Sequence, residues 1–487
     1  MQQEFDLIVI GGGPVGENVA DRAVQGGLST VIVEHELVGG ECSYWACMPS
    51  KALLRAGAAI SAARRVPGAA EAVTGQLDVQ ALFAHRDDVV KHWNDSGQLE
   101  WLDGAGIQLV RGHGRLDGER RVAVDTPDGG RVELLARVAV VVATGSDPLI
   151  PRIEGLAEAR PWASREATSA EQAPRRLAVI GGGVVGVEMA AAYASFGTEV
   201  TVIARSGLLR EFEPFAGELV GDGLTEQGAR VVTGASPVRV SRADASDAAD
   251  ASAAPSSGGE VRIELSNGET IVADEVLVAT GRTPRTRGLG LETVGLEPGD
   301  WLEVDDTLRV PGHDWLYAVG DVNHRALLTH QGKYQARAAG DAIAARARGD
   351  EASDAPWGAH VATADHHAVP QVVFSDPEVA AVGLTAAGAE EAGLRTRVLD
   401  YELGWVAGAS LLADGYRGTA RMIVDEDRGV VVGATFVGQD VAELVQAATI
   451  AIVGGVPIDR LWHAVPAYPT MSEVWLRLLE AYGRPAA

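Results

Sequence analysis

An apolar strand, a glycine turn and a helix follow one another twice in this 487-residue chain, and this repeat limits the possible folds most strongly. The first copy reads FDLIVIGGGPVGENVADRAVQGGLSTVIVEHE, in which Gly11, Gly13 and Gly16 form a GxGxxG motif between strand and helix. A second apolar strand follows and ends in Glu34. Backbone N–H groups at such a turn bind a pyrophosphate, and the carboxylate accepts a hydrogen bond from a ribose hydroxyl. This unit therefore predicts a dinucleotide site.

The second copy, RRLAVIGGGVVGVEMAAAYASFGTEVTVIARSGLLREFEP, repeats the motif with Gly181, Gly183 and Gly186. Two such units predict two bound dinucleotides. The strand of the second unit ends at Arg205 without an acid, and Arg210 follows. A carboxylate would repel a ribose 2'-phosphate, whereas guanidinium groups would pair with it, so this unit favours NADPH over NADH. The alternative is that both arginines are solvated surface charges.

Three further apolar strands end in tight turns that supply candidate binding residues. Two of them, VAVVVATGSDPLIP and DEVLVATGRTPRT, look like matching crossings between domains. Their turns carry Thr144, Gly145, Thr280, Gly281 and Arg282. The third, WLYAVGDVNH, has Asp321 after a turn at Gly320, where a carboxylate can accept a hydrogen bond from a polyol hydroxyl.

Both cysteines of the chain, Cys42 and Cys47, lie in the stretch GGECSYWACMPSKALL. On a regular helix, residues five apart lie about 140° apart around the axis, so their sulfurs could not bond. We therefore expect an irregular turn around residues 43–46, followed by a helix that Pro49 helps to start. Cys47 then lies near a helix N-terminus, where the dipole favours a thiolate.

Composition excludes several classes of function. Two cysteines are too few for a disulfide scaffold, and no apolar leader or run of about 18 apolar residues suggests export or membrane insertion. We expect a cytoplasmic protein, where a cysteine pair is more often redox-active or metal-binding than structural. The net charge of -26 opposes nucleic acid and anionic membranes as partners. The only lysines are Lys51, Lys91 and Lys333.

Taken together, these motifs resemble the pyridine nucleotide-disulfide oxidoreductases over nearly the whole chain. The family pattern GGxCxxxxCxPSK is matched by Gly39, Gly40, Cys42, Cys47, Pro49, Ser50 and Lys51. The resemblance implies an α/β fold with two Rossmann-like dinucleotide-binding domains and a C-terminal α+β dimerisation domain. It also implies FAD in the first Rossmann unit, NAD(P)H in the second, and a homodimer in which the C-terminal domain completes the partner's site.

We accordingly expect four segments. An FAD-binding domain takes residues 1–150 and 278–360, an NAD(P)H-binding domain residues 151–277, and an interface domain residues 361–487. Residues 241–259 are poor in apolar side chains and are expected to form a loop inside the second domain. The chain ends in HAVPAYPTMSEVWLRLLEAY, whose long amphipathic helix suits a subunit interface.

The resemblance also assigns roles to the residues of the cysteine motif. Cys47 is the sulfur next to the flavin, and Cys42 is the outer sulfur that meets the substrate. Lys51 resembles the lysine beside the flavin N5 region, and Glu188 is its expected partner.

Further positions match residues that contact FAD in the family. Gly40 belongs to the matched pattern, Gly114 resembles the backbone contact to the adenine, and Asp321 the acid that holds the ribityl chain. The segment along the flavin comprises Leu328, Thr329 and His330. We interpret His330 as a packed or hydrogen-bonded side chain rather than a catalyst, and we assign no metal-binding residues.

The chain departs from the family at its C-terminal motif HPTxSE, where Tyr468 occupies the histidine position and Glu473 is kept. A tyrosine has a reference pKa near 10, against about 6.5 for histidine, so it is a poor proton acceptor at neutral pH. General acid–base help is worth about 10² to 10⁴ in rate, so ordinary dithiol turnover should suffer. His463 is an alternative base. A second departure is Glu41, whose carboxylate should point away from the FAD phosphates.

These features favour an NADPH-dependent, FAD-containing oxidoreductase that passes electrons through the Cys42–Cys47 disulfide to an atypical small-molecule acceptor. A disulfide with an acidic leaving thiol or a metal ion would need little base assistance. Mercuric reductase, however, carries a further C-terminal cysteine pair, and this chain has no cysteine after Cys47. The alternatives are an NAD(P)H-dependent quinone reductase, a dihydrolipoamide dehydrogenase-like enzyme and a redox-sensing flavoprotein.

Overall fold

The computed structural model of the protein describes residues 2–243 and 259–484. Most of the loop expected at residues 241–259 therefore lies outside the described residues. The chain divides into two compact units, of which the first comprises residues 1–49, 87–148 and 282–366, and the second comprises residues 50–86, 149–281 and 367–487. Within the described ranges, no helix combines the length and the apolar character that a membrane crossing requires.

The first 148 residues alternate between strands and helices. The strands are β1 (Gln2–Ile10), β2 (Thr30–Glu34), β3 (Gln108–Arg111), β4 (His113–Leu116), β5 (Arg121–Asp125), β6 (Arg131–Val142) and β7 (Ser146–Pro148). The helices are α1 (Pro14–Gln25), α2 (Gly40–Tyr44), α3 (Cys47–Arg64), α4 (Val79–Val89) and α5 (Ser96–Ala105).

Residues 149–281 repeat the same alternation. The helices are α6 (Ser164–Ser169), α7 (Val184–Ser195) and α8 (Pro214–Glu226). The strands are β8 (Arg176–Ile180), β9 (Glu199–Ala204), β10 (Arg230–Thr233), β11 (Pro237–Arg242), β12 (Val261–Leu265), β13 (Thr270–Ala273) and β14 (Glu275–Val278). A parallel sheet has the order β10-β9-β8-β14, and β11, β12 and β13 form an antiparallel sheet of their own.

The next segment returns to the sheet of the first unit. It contains β15 (Arg282–Pro284), β16 (Leu316–Ala318), α9 (Thr329–Ala347) and α10 (Ala364–His367). Six strands of the first unit form a sheet of order β3-β2-β1-β6-β5-β4. Strand β16 is the seventh strand of this sheet and pairs in parallel with β6. Strand β15 pairs antiparallel with β7. The two Thr-Gly turns thus lead into paired strands.

The C-terminal segment forms an antiparallel sheet of order β17-β18-β21-β20-β19. Its strands are β17 (Gln371–Val373), β18 (Glu378–Gly383), β19 (Thr396–Glu402), β20 (Thr419–Asp425) and β21 (Val430–Gly438). Its helices are α11 (Ala386–Glu391), α12 (Ala407–Leu412), α13 (Leu444–Val453), α14 (Ile458–Leu461) and α15 (Val474–Tyr482). The expectation of a long final helix is wrong, because α15 has nine residues and ends at Tyr482, before Gly483, whose φ of 96° stops the helix.

The central strands of both parallel sheets are buried, which explains their uninterrupted apolar runs. Residues 7–10 in β1 and residues 177–180 in β8 are all buried. Parallel strands covered on both faces have continuous apolar sequences rather than alternating ones.

The third glycine of each GxGxxG motif is required by the contact between helix and turn. A Cβ atom on Gly16 would lie 1.9 Å from the carbonyl oxygen of Gly11, and one on Gly186 would lie 2.3 Å from that of Gly181. Both neighbours are backbone atoms, which cannot rotate away. The two units thus have the same local constraint.

We expect Gly16→Ala to lower the melting temperature by roughly 5 °C, because about 2 to 3 kcal/mol of overpacking acts on a rigid backbone contact. Gly97→Ala in α5 is the matched control, since a Cβ atom there has no neighbour within 4 Å. Alanine in a helix is favoured over glycine, so this control should melt at or above the wild-type temperature. Differential scanning calorimetry measures both variants, and equal melting temperatures would contradict the argument.

Candidate active site

The turn between β1 and α1 is open where a phosphate would approach. A Cβ atom on Gly13 would have only the Cα of Gly40 within 4 Å, at 3.9 Å, and a Cβ atom on Gly40 would lie 2.8 Å from the Cα of Gly13. The hydroxyl oxygen of Thr144, just after β6, is buried and has no hydrogen-bond partner. An open glycine turn at a helix N-terminus and an unpaired buried hydroxyl fit a dinucleotide.

Glu34 ends β2 as a buried carboxylate. Its Oε2 accepts a hydrogen bond from the Gly12 N–H at 2.7 Å, and its Oε1 accepts one from the Glu36 N–H at 2.7 Å. Burial raises the pKa of Glu34, but the hydrogen bonds from His35 and the two N–H groups outweigh it and hold the pKa below its usual range. Gly114 in β4 is a neighbour of this strand, since its Cβ atom would lie 2.8 Å from Val33.

The second glycine turn holds the arginine segment beside it. A Cβ atom on Gly183 would have no neighbour within 4 Å, so this turn is also open. The N–H of Leu209 donates to the carbonyl oxygen of Gly182 at 2.8 Å, which fixes the segment that follows β9. Arg205 and Arg210 in this segment are exposed. Arg210 also donates a hydrogen bond to the Ser206 carbonyl oxygen at 3.1 Å.

Asp321 lies in a single helical turn after β16 and is held by residues from two other strands. Its Oδ2 accepts a hydrogen bond from the Ser146 hydroxyl at 2.5 Å, and the Arg282 guanidinium lies 3.7 Å from the same oxygen. Arg282 also donates to the Ser146 carbonyl oxygen at 2.6 Å. The Gly320 N–H before Asp321 donates to Gln335 in α9 at 2.8 Å. The antiparallel pairing of β7 with β15 thus brings Ser146 and Arg282 to Asp321.

A break in the helix brings the two sulfurs together. Helix α2 ends at Tyr44 and α3 begins at Cys47, within the stretch where an irregular turn was expected. A hydrogen bond joins the two cysteine side chains, and the Cys47 sulfur lies 3.4 Å from the Thr329 hydroxyl at the start of α9. The hydrogen bond to Cys47, burial and the Cys47 charge raise the pKa of Cys42 above its usual range. Cys42 therefore holds its proton more tightly than an ordinary thiol does.

Lys51 and Glu188 form an ion pair in the second unit. The Lys51 Nζ lies 2.6 Å from the Glu188 Oε2, and Glu188 is buried in α7. The other Glu188 oxygen accepts the Phe374 N–H at 3.0 Å, and the Lys51 Nζ lies 4.9 Å from the centroid of the Phe374 ring. The carboxylate is thus fully engaged on one side by a cation and on the other by the backbone.

The C-terminal motif pairs its glutamate with an arginine. Glu473 is buried, its Oε1 accepts a hydrogen bond from the Arg477 guanidinium at 2.5 Å, and its Oε2 has no hydrogen-bond partner. Tyr468 and His463 are both exposed. The carboxylate that would orient a histidine therefore binds a guanidinium one helical turn further on.

Comparison with known proteins identifies the family. Residues 5–342 match the family described as pyridine nucleotide-disulphide oxidoreductase, and residues 369–478 match the dimerisation domain of the same family. The chain belongs to the pyridine nucleotide-disulphide oxidoreductases. A dihydrolipoyl dehydrogenase of Thermus scotoductus is 32% identical over 99% of this chain and 98% of its own length. A mercuric reductase of Staphylococcus aureus is 30% identical over 96% of this chain and 81% of its own length.

A solved structure shares the fold of this oxidoreductase. The HOCl-induced flavoprotein disulfide reductase RclA of Escherichia coli matches with a TM-score of 0.81 at 22% identity, covering 98% of this chain and 99% of its own. The predicted family and the α/β fold class are confirmed. The protein is a pyridine nucleotide-dependent flavoprotein oxidoreductase with FAD as its cofactor.

Several residues of the site in this oxidoreductase could not be predicted from local sequence patterns. Ser146 and Phe374 were missed, because they contact Asp321 and Glu188 across more than 100 residues of chain and belong to no motif. His330 is exposed at the start of α9. Glu41 pairs with Arg285, whose guanidinium lies 3.3 Å from its Oε1.

We expect Lys51→Met to lower the melting temperature, because it leaves the Glu188 carboxylate buried without its cation. Removing one partner of a buried ion pair costs about 3 to 5 kcal/mol, and the partial exposure of Lys51 places the loss near the lower end. Scanning calorimetry measures the change. The double variant Lys51→Met with Glu188→Gln should recover part of it, because the amide still accepts the Phe374 N–H. Lys91→Met, at an exposed lysine, should melt like the wild type. A double variant less stable than Lys51→Met would refute this account.

Proposed function

We propose that this oxidoreductase is an NADPH-dependent reductase that passes two electrons through Cys42 and Cys47 to an acceptor needing little proton-transfer help. The candidate acceptors are a disulfide with an acidic leaving thiol and a metal ion. The proposal rests on one observation: the two cysteine side chains lie within hydrogen-bond reach of each other in a chain with tyrosine at the family's histidine position. When bound, FAD would take the electrons of the nicotinamide and make them available to this pair.

The two thiols have different tasks. Cys47 begins α3, where the helix dipole and the Thr329 hydroxyl at 3.4 Å stabilise a thiolate. Cys42, with its raised pKa, keeps its proton in the reduced pair. Attack on an acceptor disulfide then releases this proton, forms a bond from Cys42 to one acceptor sulfur and frees the other as a thiolate. Cys47 next displaces the bound sulfur, so that the enzyme disulfide forms and the acceptor leaves as two thiols.

The residues of the C-terminal motif support an acceptor that does not depend on a base. Glu473 is engaged by Arg477, and a tyrosine replaces the histidine that would move protons. A leaving thiol of low pKa departs as a thiolate without protonation, and a metal ion accepts electrons without a proton. Mercuric reductases are 29% to 33% identical to this chain, which favours a metal ion as one candidate. This chain lacks the C-terminal cysteine pair of mercuric reductase, which favours a disulfide as the acceptor.

We infer a homodimer from the dimerisation domain in residues 369–478. Val465 and Ile450 in this segment are 85% and 60% exposed, although both are apolar. A second copy of the chain would cover such side chains.

Cys42→Ser should abolish anaerobic NADPH oxidation with the physiological acceptor, because the dithiol route loses its nucleophile. The measurement is a spectrophotometric screen of disulfides, mercuric and cupric ions, and quinones with wild type and variant. Ferricyanide is the internal control, since it takes electrons without the dithiol, and its reduction should persist in Cys42→Ser. Undiminished turnover with the best acceptor would reject the dithiol route in favour of direct reduction of a quinone or dioxygen.

Tyr468→His should raise turnover with ordinary disulfides by up to about 10²-fold.

The paired substitution Arg205→Ala with Arg210→Ala should raise the KM for NADPH by about 10- to 100-fold and leave the KM for NADH unchanged. Each charge-assisted hydrogen bond to a phosphate is worth about 1.5 to 3 kcal/mol, and only NADPH carries the 2'-phosphate. Steady-state kinetics with both nucleotides provides the measurement. Arg262→Ala, at an exposed arginine in β12, is the matched control. Equal loss with both nucleotides would show that the arginines do not select for NADPH.

A further inference from the structure

A lysine with no role in the family pattern lies one helical turn beyond the hydroxyl that contacts the Cys47 sulfur. Lys333 follows Thr329 by four residues in α9, so both side chains lie on one face of that helix, and the Thr329 hydroxyl contacts the Cys47 sulfur. The charge of Lys333 lowers the pKa of Cys42, against the larger effects of Cys47 and burial. This cation is thus close enough to stabilise a Cys42 thiolate.

Glu17 is a titratable group in the helix α1, and the charge of Lys333 acts on it. It lies in the first turn of α1, and its Oε1 is buried without a hydrogen-bond partner. Burial raises the pKa of Glu17 to about 7, and the Lys333 charge opposes this rise. Helices α1 and α9 pack closely, since a Cβ atom on Gly332 would lie 2.6 Å from Val15. The packing of these helices brings Glu17 and Lys333 together.

The other charged groups around these helices have partners or act elsewhere. Arg22 in α1 binds Asp341 in α9 at 2.6 Å, and Glu41 pairs with Arg285. Burial and the charges of Asp95 and Glu17 raise the pKa of Tyr44 to about 12, so Tyr44 stays neutral. The remaining titratable or charged residues of α1, α2, α9, the start of α3 and the end of β3 are Asp21, Cys47, Lys51, Arg111, His330, Tyr334, Arg337 and Arg346. Of the described residues, Lys333 is the cation whose charge acts on both Cys42 and Glu17.

We propose that Lys333 and Glu17 are positioning charges for the Cys42 thiol: Lys333 stabilises its thiolate, and Glu17, once ionised, neutralises Lys333 and weakens that stabilisation. The proposal rests on the proposed function, in which Cys42 is the nucleophile. Below about pH 7 Glu17 is protonated, and the full Lys333 charge acts on the sulfur. Above this pH the carboxylate is charged, so the rise in Cys42 thiolate with pH becomes more gradual than for an isolated thiol.

The test is the alkylation rate of Cys42 by iodoacetamide in the dithiothreitol-reduced holoenzyme between pH 5.5 and 10, with the site located by tandem mass spectrometry. Lys333→Met should slow alkylation at pH 8 about three- to tenfold, because the thiolate loses its cation. Glu17→Gln should accelerate it by a similar factor above pH 7 and leave the rate at pH 6 unchanged. The opposite directions separate an electrostatic role from structural damage, which would shift both variants the same way.

Lys91→Met is the matched control, because Lys91 is an exposed lysine of the same unit and should leave the profile unchanged. The proposal would be overturned if Lys333→Met and Glu17→Gln changed the alkylation rate of Cys42 in the same direction. It would also be overturned if the pH profile of alkylation in Lys333→Met equalled that in Lys91→Met. If Glu17→Gln does not fold, the alkylation rates of Lys333→Met and Lys91→Met still show whether the Lys333 charge stabilises the Cys42 thiolate. Alkylation needs no acceptor and no turnover, so its outcome is independent of the Cys42→Ser kinetics that test the proposed function.

Discussion

The close backbone approach of Gly40 to Gly13 is the constraint from which the site follows. A Cβ atom on Gly40 would lie 2.8 Å from the Cα of Gly13, so only glycine lets α2 begin beside the dinucleotide turn. Helix α2 then lasts five residues, and the break after Tyr44 allows α3 to start at Cys47. One backbone contact thereby sets where the redox pair lies relative to the first glycine turn.

The electrostatics of the pair follow from its position. Cys47 is at a helix start and near a hydroxyl, whereas Cys42 is half-buried beside Cys47, and this surrounding raises the pKa of Cys42. In a relative with histidine at the C-terminal motif, an imidazole would move the proton of the outer thiol. Here Glu473 binds Arg477 instead, and the charge of Lys333 lowers the pKa of Cys42. In the proposed arrangement, the acidity of the outer thiol depends on Lys333 and Glu17, which belong to helices of its own unit.

The features that the sequence predicted correctly are local. A strand, a GxGxxG turn and a helix occupy about 30 residues, and steric limits on each glycine act between near neighbours in the chain, as for Gly16 and Gly11. The break before Cys47 follows from helix geometry alone. The prediction for α15 failed because residues 471–473 before it form a tighter turn and Gly483 after it has a positive φ, so an apolar pattern alone overestimates helix length.

By itself, the sequence determined the two dinucleotide units, the position of the redox cysteines and the tyrosine at the family's histidine position. Each of these depends on residue identity and short spacing. Only the tertiary structure decided which groups surround these residues. Ser146 meets Asp321, Phe374 meets Glu188, and Lys333 faces both Cys42 and Glu17 across 175 to 316 residues of chain. Such contacts arise from the packing of helices and strands that are distant in sequence, and no local pattern encodes them.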